Sequence, residues 1–253
     1  SWNFARFLNQ MGSCIHGAGT DCIGILGKCS LRDTEYKIMG DRIVAGTYLL
    51  AAAGTRGSIE IKGVQVKELQ ALLHICEEMG CRVQNYGKSI ILDSKHRLFS
   101  VKDIHTQPFP GVATDLQSQL MSVLSMARGE TTIYEHVFEN RFQTAEELGR
   151  MGADIQIKNN RAVIRGVKKL NGCPVCAKDL RGGAALIIAG LMAEGDSIVE
   201  NSIFVDCTGS SDIAYKYMNL FKKGYSVVAC NKITFSAPYQ QYALLKASAL
   251  ENN

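Results

Sequence analysis

A repeat about 72 residues long constrains the fold of this chain more than any other sequence feature. Gly80 and Gly152 each end an amphipathic segment that closes on Met-Gly, and the two glycines lie 72 positions apart. A glycine there supplies the left-handed C-cap that ends a helix. The opening segment has the same ending at Gly12, 68 positions before Gly80. Because one such unit cannot bury both its faces, neighbouring units should stack around a shared core.

A second element recurs half a period away from the first. Gly57, Gly129 and Gly195 each follow an apolar segment and precede a predicted strand, at intervals of 72 and 66 residues. Each apolar segment starts beside an aspartate, and these are Asp41, Asp115 and Asp179. The repeated unit is therefore predicted to run helix, glycine, strand, second helix, Met-Gly and two short strands.

Three predicted helices carry the expected core. The segment 115–127 places its apolar residues on one helical face. The segment 180–193 is apolar nearly all round and should lie buried, with a Gly-Gly pair permitting close packing. We predict that these two helices and a third at 41–53 pack together inside a lobe formed by residues 38–203.

Composition and charge exclude several classes of function. With 46% hydrophobic and 21% charged residues, the chain is typical of a globular protein. Its net charge of +4 comes without a basic run, so we expect neither a nucleic acid nor a membrane surface as partner. The longest apolar stretch, residues 184–193, is far shorter than the ~20 residues that span a bilayer. No signal peptide is recognisable at the start.

The nine cysteines indicate a reducing compartment, because their number is odd and they are spread through predicted helices and strands. We therefore expect a cytoplasmic protein. Cys173 and Cys176 form a CxxC pair, which fits a metal or redox site, or two unpaired thiols in a turn before a helix. A structural zinc site needs four ligands. The sequence has no second CxxC, and its five histidines form no ligand spacing, so no metal is expected.

Three motifs occur in the order Thr114-Asp-Leu-Gln-Ser-Gln119, Phe138-Glu-Asn-Arg-Phe142 and Asp179-Leu-Arg181. With them the chain resembles the UDP-N-acetylglucosamine enolpyruvyl transferases of bacterial cell-wall synthesis, from about residue 4 to about residue 203. The resemblance implies an α/β fold, an inside-out barrel with two lobes of repeated βαβαββ units. It also implies transfer of the enolpyruvyl group from phosphoenolpyruvate to the 3-hydroxyl of UDP-N-acetylglucosamine, without a cofactor.

The same resemblance implies a domain plan. Residues 1–37 would be the tail of lobe one, and residues 38–203 would form lobe two. Nearly all of lobe one would be absent, including the loop with the cysteine or aspartate acid and a lysine-asparagine pair near phosphoenolpyruvate. The chain alone is therefore expected to be inactive, with weak or absent binding of both substrates.

Asp115 is the predicted catalytic residue. Thr114 fits the N-cap of a capping box with Gln117, which would place Asp115 in the first helical turn. An ionised carboxylate at a cleft edge can accept a proton from a hydroxyl group. The resemblance implies that role, at the 3-hydroxyl of the amino sugar. The alternative is a first-turn aspartate that only stabilises its own helix.

The resemblance implies four further substrate-binding residues. Val137 would contact the N-acetylglucosamine moiety through its backbone. Arg141 would line the cleft, or alternatively form a surface ion pair with Glu139 or Glu146. Asp179 and Arg181 would lie near phosphoenolpyruvate, since a guanidinium suits phosphate and carboxylate groups. Alternatively, Asp179 is only the N-cap of its helix and Arg181 is an exposed cation.

The last fifty residues have a different pattern of strand, helix, strand, loop and helix, typical of a doubly wound α/β fold. The segments 205–208, 224–228, 231–232 and 242–246 resemble the nucleotide-binding domain of homoserine dehydrogenases, particularly the bifunctional aspartokinase–homoserine dehydrogenases. This second resemblance implies a nucleotide-site remnant near the nicotinamide and substrate, formed by Thr208, Asn231 and Lys232.

The chain is therefore predicted to be a chimera, joined near residues 200–204, whose segment 204–253 forms a C-terminal βαβ Rossmann-like piece. A working dehydrogenase is not expected, because the glycine-rich dinucleotide fingerprint is missing. Two alternatives to an enolpyruvyl transferase fragment stay open. One is a non-catalytic binding or interaction module, and the other is a homoserine dehydrogenase fragment.

Overall fold

The computed structural model describes residues 2–27, 30–201, 203–206, 217, 219, 226–229 and 247. The chain divides into two compact units, Ser1–Asp41 and Arg42–Asn253. Of the segment 204–253, predicted to resemble a homoserine dehydrogenase, most lies outside the described residues.

Among its described residues, 2–27 and 30–41, the first unit contains one helix and one hairpin. Helix α1 spans Trp2–Gln10, and strands β1 (Cys14–His16) and β2 (Gly24–Leu26) pair antiparallel, with Cys14 opposite Leu26. This order of helix, glycine turn and two short strands matches the second half of the predicted repeat.

The second unit contains the remaining elements. Its helices are α2 (Arg42–Gly54), α3 (Gln70–Glu78), α4 (Gln117–Leu124), α5 (Thr144–Arg150) and α6 (Leu180–Met192). Its strands are β3 (Ser58–Lys62), β4 (Arg82–Asn85), β5 (Ser89–Asp93), β6 (Asp103–His105), β7 (Glu130–Tyr134), β8 (Asp154–Lys158), β9 (Arg161–Arg165), β10 (Pro174–Cys176), β11 (Ile198–Glu200), β12 (Ile203–Asp206) and β13 (Ser226–Ala229).

The sheets follow the sequence repeat. Strands β3, β5 and β4 form one antiparallel sheet in that order, and β7, β9 and β8 repeat the arrangement in the next unit. Strand β6 extends the second sheet by pairing parallel with β7. Strands β10 and β11 form a parallel pair at the corresponding place in the third unit. A further parallel pair joins β12 and β13.

The predicted glycine C-caps are confirmed in detail. Gly12, Gly80 and Gly152 have φ values of +107°, +95° and +94°, in the left-handed region that disfavours residues with a Cβ. The residue after each glycine donates its N–H to the carbonyl five positions back, as in a Schellman motif. These bonds are Ser13 to Leu8, Cys81 to Cys76 and Ala153 to Leu148, at 3.0, 2.9 and 3.0 Å.

The predicted packing of three helices is also confirmed, since α2, α4 and α6 contact one another pairwise. All eight residues of α4 are buried between its neighbours. The hydroxyl of Ser122 donates to the Ala185 carbonyl at 2.8 Å and so links α4 to α6. Gly46 of α2 lies against Leu116, because a Cβ at Gly46 would come within 2.6 Å of that side chain.

The expectation that the last of these helices is buried on all sides is wrong. Leu180, Ile187 and Leu191 of α6 are 63%, 49% and 64% exposed. Spacings of seven and eleven residues place them on one stripe of the helix. The opposite stripe packs inward, and the predicted close contact at Gly182 is with the hydroxyl of Thr144 in α5. An apolar composition therefore did not distinguish the packed side of α6 from its exposed side.

Two further properties concern the described residues only. No helix there combines the length and apolar character needed to cross a membrane. The six cysteines in the described ranges are free thiols. The predicted turn at the CxxC pair is largely a strand instead, because the residues from Pro174 to Cys176 pair with β11. The Cys176 sulfur accepts a hydrogen bond from Asn201 at 3.1 Å.

Candidate functional site

Asp115 forms ion pairs with two arginines that are distant in sequence. It lies in a 3₁₀ turn, Thr114–Leu116, that leads directly into α4. The Nε of Arg181, in the first turn of α6, contacts Asp115 Oδ1. The Nη2 of Arg141 lies 3.8 Å from the same oxygen. Three of the residues predicted from motifs are thus brought together where α4 and α6 begin.

This cluster carries an excess of positive charge. Two guanidinium groups face one carboxylate, and the N-terminal ends of α4 and α6 add their partial positive charges. Arg141 is held from a second side, with its guanidinium 4.5 Å from the centroid of the Phe138 ring. An anionic group such as a phosphate or a carboxylate suits this environment. The predicted surface alternative for Arg141 is not what the structure shows, since its ion pair is with Asp115.

Asp179 caps its own helix. Its Oδ1 accepts the N–H of Gly182 at 2.6 Å, and its extended backbone is that of an N-cap residue. The alternative reading of Asp179 from the sequence is therefore the contact that the structure shows. By fixing the first turn of α6, this cap also fixes the backbone from which Arg181 extends.

The predicted capping box between Thr114 and Gln117 does not form. The 3₁₀ turn has Ala113 as its N-cap, so Thr114 lies inside the first turn. Its hydroxyl donates to Glu135 Oε2 at 2.9 Å instead. Gln117 is buried, and its Nε2 has no hydrogen-bond partner among the described residues. A buried carboxylate needs hydrogen-bond donors, which explains why Glu135 takes the hydroxyl.

Glu135 organises the site, although the sequence reasoning did not identify it. Its side chain is buried, and its Oε1 accepts the N–H groups of Val137 at 2.9 Å and Phe138 at 3.2 Å. Together with the bond from Thr114, these contacts tie the turn that carries Asp115 to the loop that carries Val137 and Arg141. A single glutamate after a strand has no local signal of burial, so only the tertiary contacts reveal this role.

A groove of about 1170 Å³ lies beside this loop, lined by residues 135–143, α5, β8 and Lys178. A smaller groove of about 750 Å³ occupies the same place in the preceding repeat, against α3 and β4. Because both repeats form a groove at this place, the groove itself follows from the repeated fold. The side chains that line it are what differ between the two repeats. A hydrogen bond from Lys178 lowers the pKa of the Glu146 carboxyl at its edge.

Three predicted site residues and the metal prediction still have to be placed. Thr208, Asn231 and Lys232 lie outside the described residues. Within the described ranges, no group of three or more His, Cys, Asp or Glu side chains is arranged to hold a metal ion. Two histidines without ligand spacing in the sequence do meet, however, because His105 Nδ1 lies 3.0 Å from His136 Nε2.

Comparison with known proteins connects this geometry to a family. The sequence profile of the EPSP synthase (3-phosphoshikimate 1-carboxyvinyltransferase) family matches residues 3–210. A UDP-N-acetylglucosamine 1-carboxyvinyltransferase 2 from Caldanaerobacter subterraneus subsp. tengcongensis is 50% identical over 201 residues, 79% of this chain and 48% of that protein. A UDP-N-acetylglucosamine 1-carboxyvinyltransferase from Coxiella burnetii is 48% identical over 204 residues, 81% of this chain and 47% of that protein.

A solved structure has the same fold. The enolpyruvyl transferase NikO from Streptomyces tendae aligns with a TM-score of 0.67 and 25% identity, covering 76% of this chain and 46% of that one. The chain thus spans about half the length of the relatives that it matches.

Proposed function

This chain belongs to the EPSP synthase (3-phosphoshikimate 1-carboxyvinyltransferase) family, and we propose that it is part of an enzyme that makes enolpyruvyl-UDP-N-acetylglucosamine for peptidoglycan synthesis. The substrates are phosphoenolpyruvate and UDP-N-acetylglucosamine. The 3-oxygen of the sugar bonds to C2 of phosphoenolpyruvate, and inorganic phosphate leaves. The observation that carries this proposal is the cluster of Asp115, Arg141 and Arg181. The 50% identity to a protein named for this reaction supports the choice of acceptor.

Asp115 is the general base in this proposal. Among the described residues, both arginines contact Oδ1 of Asp115. Its Oδ2 is therefore left to bind a substrate hydroxyl. A carboxylate held in this way can take the proton of the 3-hydroxyl as the new C–O bond forms. Arg181 and Arg141 fix the carboxylate and carry surplus positive charge for the phosphate or carboxylate of phosphoenolpyruvate.

Val137 and Asp179 have supporting roles. The N–H of Val137 is already bonded to Glu135, so its backbone contact with the amino sugar falls to the carbonyl oxygen. Asp179 acts through the N-cap of α6, which sets the position of Arg181 on the phosphoenolpyruvate side.

The fold proposal follows the family plan. Residues 38–203 form one lobe of an inside-out α/β barrel, with α2, α4 and α6 inside and the sheets outside, and residues 1–37 form the tail of the other lobe. The complete enzyme works in the cytoplasm. The 253-residue chain by itself does not turn over, because the groups that most of lobe one contributes are absent.

Titration with UDP-N-acetylglucosamine, followed by NMR, tests the half-site. We expect at best millimolar affinity, since losing several hydrogen bonds of about 0.5–1.5 kcal/mol each weakens binding by orders of magnitude. Asp115→Ala should reduce it further, whereas Asp154→Ala, an exposed aspartate on β8, should leave it unchanged. Micromolar binding, or binding indifferent to Asp115→Ala, would contradict the proposed site.

Phosphate release from the two substrates tests the prediction of inactivity. We expect no turnover by the isolated chain. A rate above ~1 s⁻¹, within the ordinary range of enzymes, would show that the missing groups are not required.

We also propose that the chain from about residue 204 onward has a separate, homoserine-dehydrogenase-like origin. A non-catalytic interaction module is the alternative function of such a chimera. Strands β12 and β13 pair parallel, but parallel pairs also occur within the preceding repeat, in β6 with β7 and β10 with β11, so this pairing fits either origin. The family match extends to residue 210, past the proposed junction. Sequencing the encoding DNA across residues 195–210, together with an intact-mass measurement, decides between a genuine junction and an artefact.

A further inference from the structure

His105 and His136 bring two imidazole rings together at the carboxyl ends of two parallel strands. His105 ends β6 and lies opposite Tyr134, the last residue of β7, so His136 follows two residues later. The Nδ1 of His105 lies 3.0 Å from the Nε2 of His136, and the two ring planes agree within 3°. Neither histidine has a part in the proposed transfer reaction, and both side chains are exposed.

The backbone around this pair is held firmly. Thr106 is fully buried, and its N–H donates to the Tyr134 carbonyl at 2.9 Å. Its hydroxyl oxygen accepts the N–H of His136 at 3.0 Å. The ring of Tyr134 stacks on His105 with a centroid distance of 4.6 Å. These contacts already fix the backbone at both strand ends. Binding of one ligand by the two rings therefore costs only side-chain conformational entropy.

We propose that His105 and His136 form a binding site for a divalent transition-metal ion of the Ni²⁺ or Cu²⁺ type. Imidazole nitrogen suits these ions, which accept ligands in adjacent positions of a tetragonal or octahedral shell. Two nitrogens 3.0 Å apart, each about 2.0–2.1 Å from a metal, subtend an angle of about 90° at that metal. Tetrahedral zinc opens this angle to about 109°, which needs the two nitrogens slightly farther apart than they lie in the free pair.

Neutral imidazoles bind the ion without a net loss of protons. In the free pair, one ring donates its N–H to the lone pair of the other. On binding, that proton moves to the distal nitrogen of its own ring, and both facing nitrogens present lone pairs. The exposed rings turn toward the ion, which sits beside the line joining the two nitrogens. Water fills the other coordination positions.

Calorimetry with Ni²⁺ on the full chain tests the site, at a pH about one unit above the ordinary imidazole pKa of about 6.5. We expect His105→Gln and His136→Gln each to weaken binding at least about tenfold, as loss of a direct ligand should cost no less than loss of a supporting contact. The double variant supplies the background from the cysteines and the three remaining histidines. His74→Gln on α3, whose imidazole pairs with Glu78, should bind as the unaltered chain does.

A second measurement locates the ion independently of the variants. Paramagnetic Ni²⁺ should broaden the amide resonances of Thr106 and Val137, which flank the pair, before those of α3. Equal affinity in the unaltered chain and the double variant, or broadening that spares Thr106 and Val137, would overturn the proposal. The proposal does not depend on the transferase function, because neither readout uses its substrates.

Discussion

Replacing the buried Glu135 with alanine should destabilise the chain through the loss of its hydrogen bonds. The side chain of Glu135 is 4% exposed and accepts three hydrogen bonds, from the Thr114 hydroxyl and from the N–H groups of Val137 and Phe138. Hydrogen bonds to a charged group contribute about 1.5–3 kcal/mol each. Water can reach the donors left behind, because Val137 is half-buried and Phe138 exposed. The expected loss is therefore about 2–4 kcal/mol, less than the full sum of three bonds.

Glu135→Gln is the matched control for shape. Its carbonyl oxygen can still accept both backbone N–H groups, and its amide can donate to Thr114, so we expect a loss of about 1 kcal/mol. Glu139→Ala, at an exposed glutamate in the same loop, should change the free energy of unfolding by no more than about 0.5 kcal/mol.

Urea unfolding followed by circular dichroism measures these differences. With a slope of about 1–3 kcal/mol per molar urea, Glu135→Ala should lower the midpoint by about 1–2 M. The amide resonances of Val137 and Phe138 should shift in the same variant. An alanine variant less than about 1 kcal/mol below the unaltered chain, or equal to the glutamine variant, would refute the proposed role of Glu135.

Three further predictions concern packing, charge and thiol reactivity. Gly166→Ala should cost at least about 3 kcal/mol of unfolding free energy, because its Cβ would lie 1.6 Å from a backbone carbonyl oxygen. Gly149→Ala in α5 should instead stabilise the chain by about 0.5–1 kcal/mol, because the space around it is open. Thermal unfolding of both variants measures the difference. Lys178→Met should raise the pKa of the Glu146 carboxyl toward its ordinary value, as an NMR titration would show. Because this pKa is lowered in the folded chain, any stabilisation from the pair is present at neutral pH and disappears as the pH falls through that pKa. Cys76, whose thiol pKa is raised by burial, should resist alkylation until the chain unfolds, as mass spectrometry of the modified protein would show.

The repeat and its caps were predictable from the sequence because they depend on local chemistry. A Met-Gly ending stops a helix wherever it occurs, and Gly80 and Gly152 adopt the left-handed conformation that was predicted for them. The apolar face of the segment 115–127 likewise predicted a buried helix. The motifs containing Asp115 and Arg181 also identified residues that do meet in the structure.

Other features depended on contacts between distant residues and could not be read from spacing. Which stripe of α6 is buried depends on where α4 packs, so Leu180 and Leu191 proved exposed despite an apolar sequence. Thr114 donates to Glu135 rather than capping its own helix, because a buried carboxylate 21 positions away needs a donor. The meeting of His105 with His136 follows from the parallel pairing of β6 with β7. Local sequence determined which helices end at a glycine and which segments are apolar, whereas the tertiary structure decided which side chains the elements bring together, because hydrogen bonding and burial act through space.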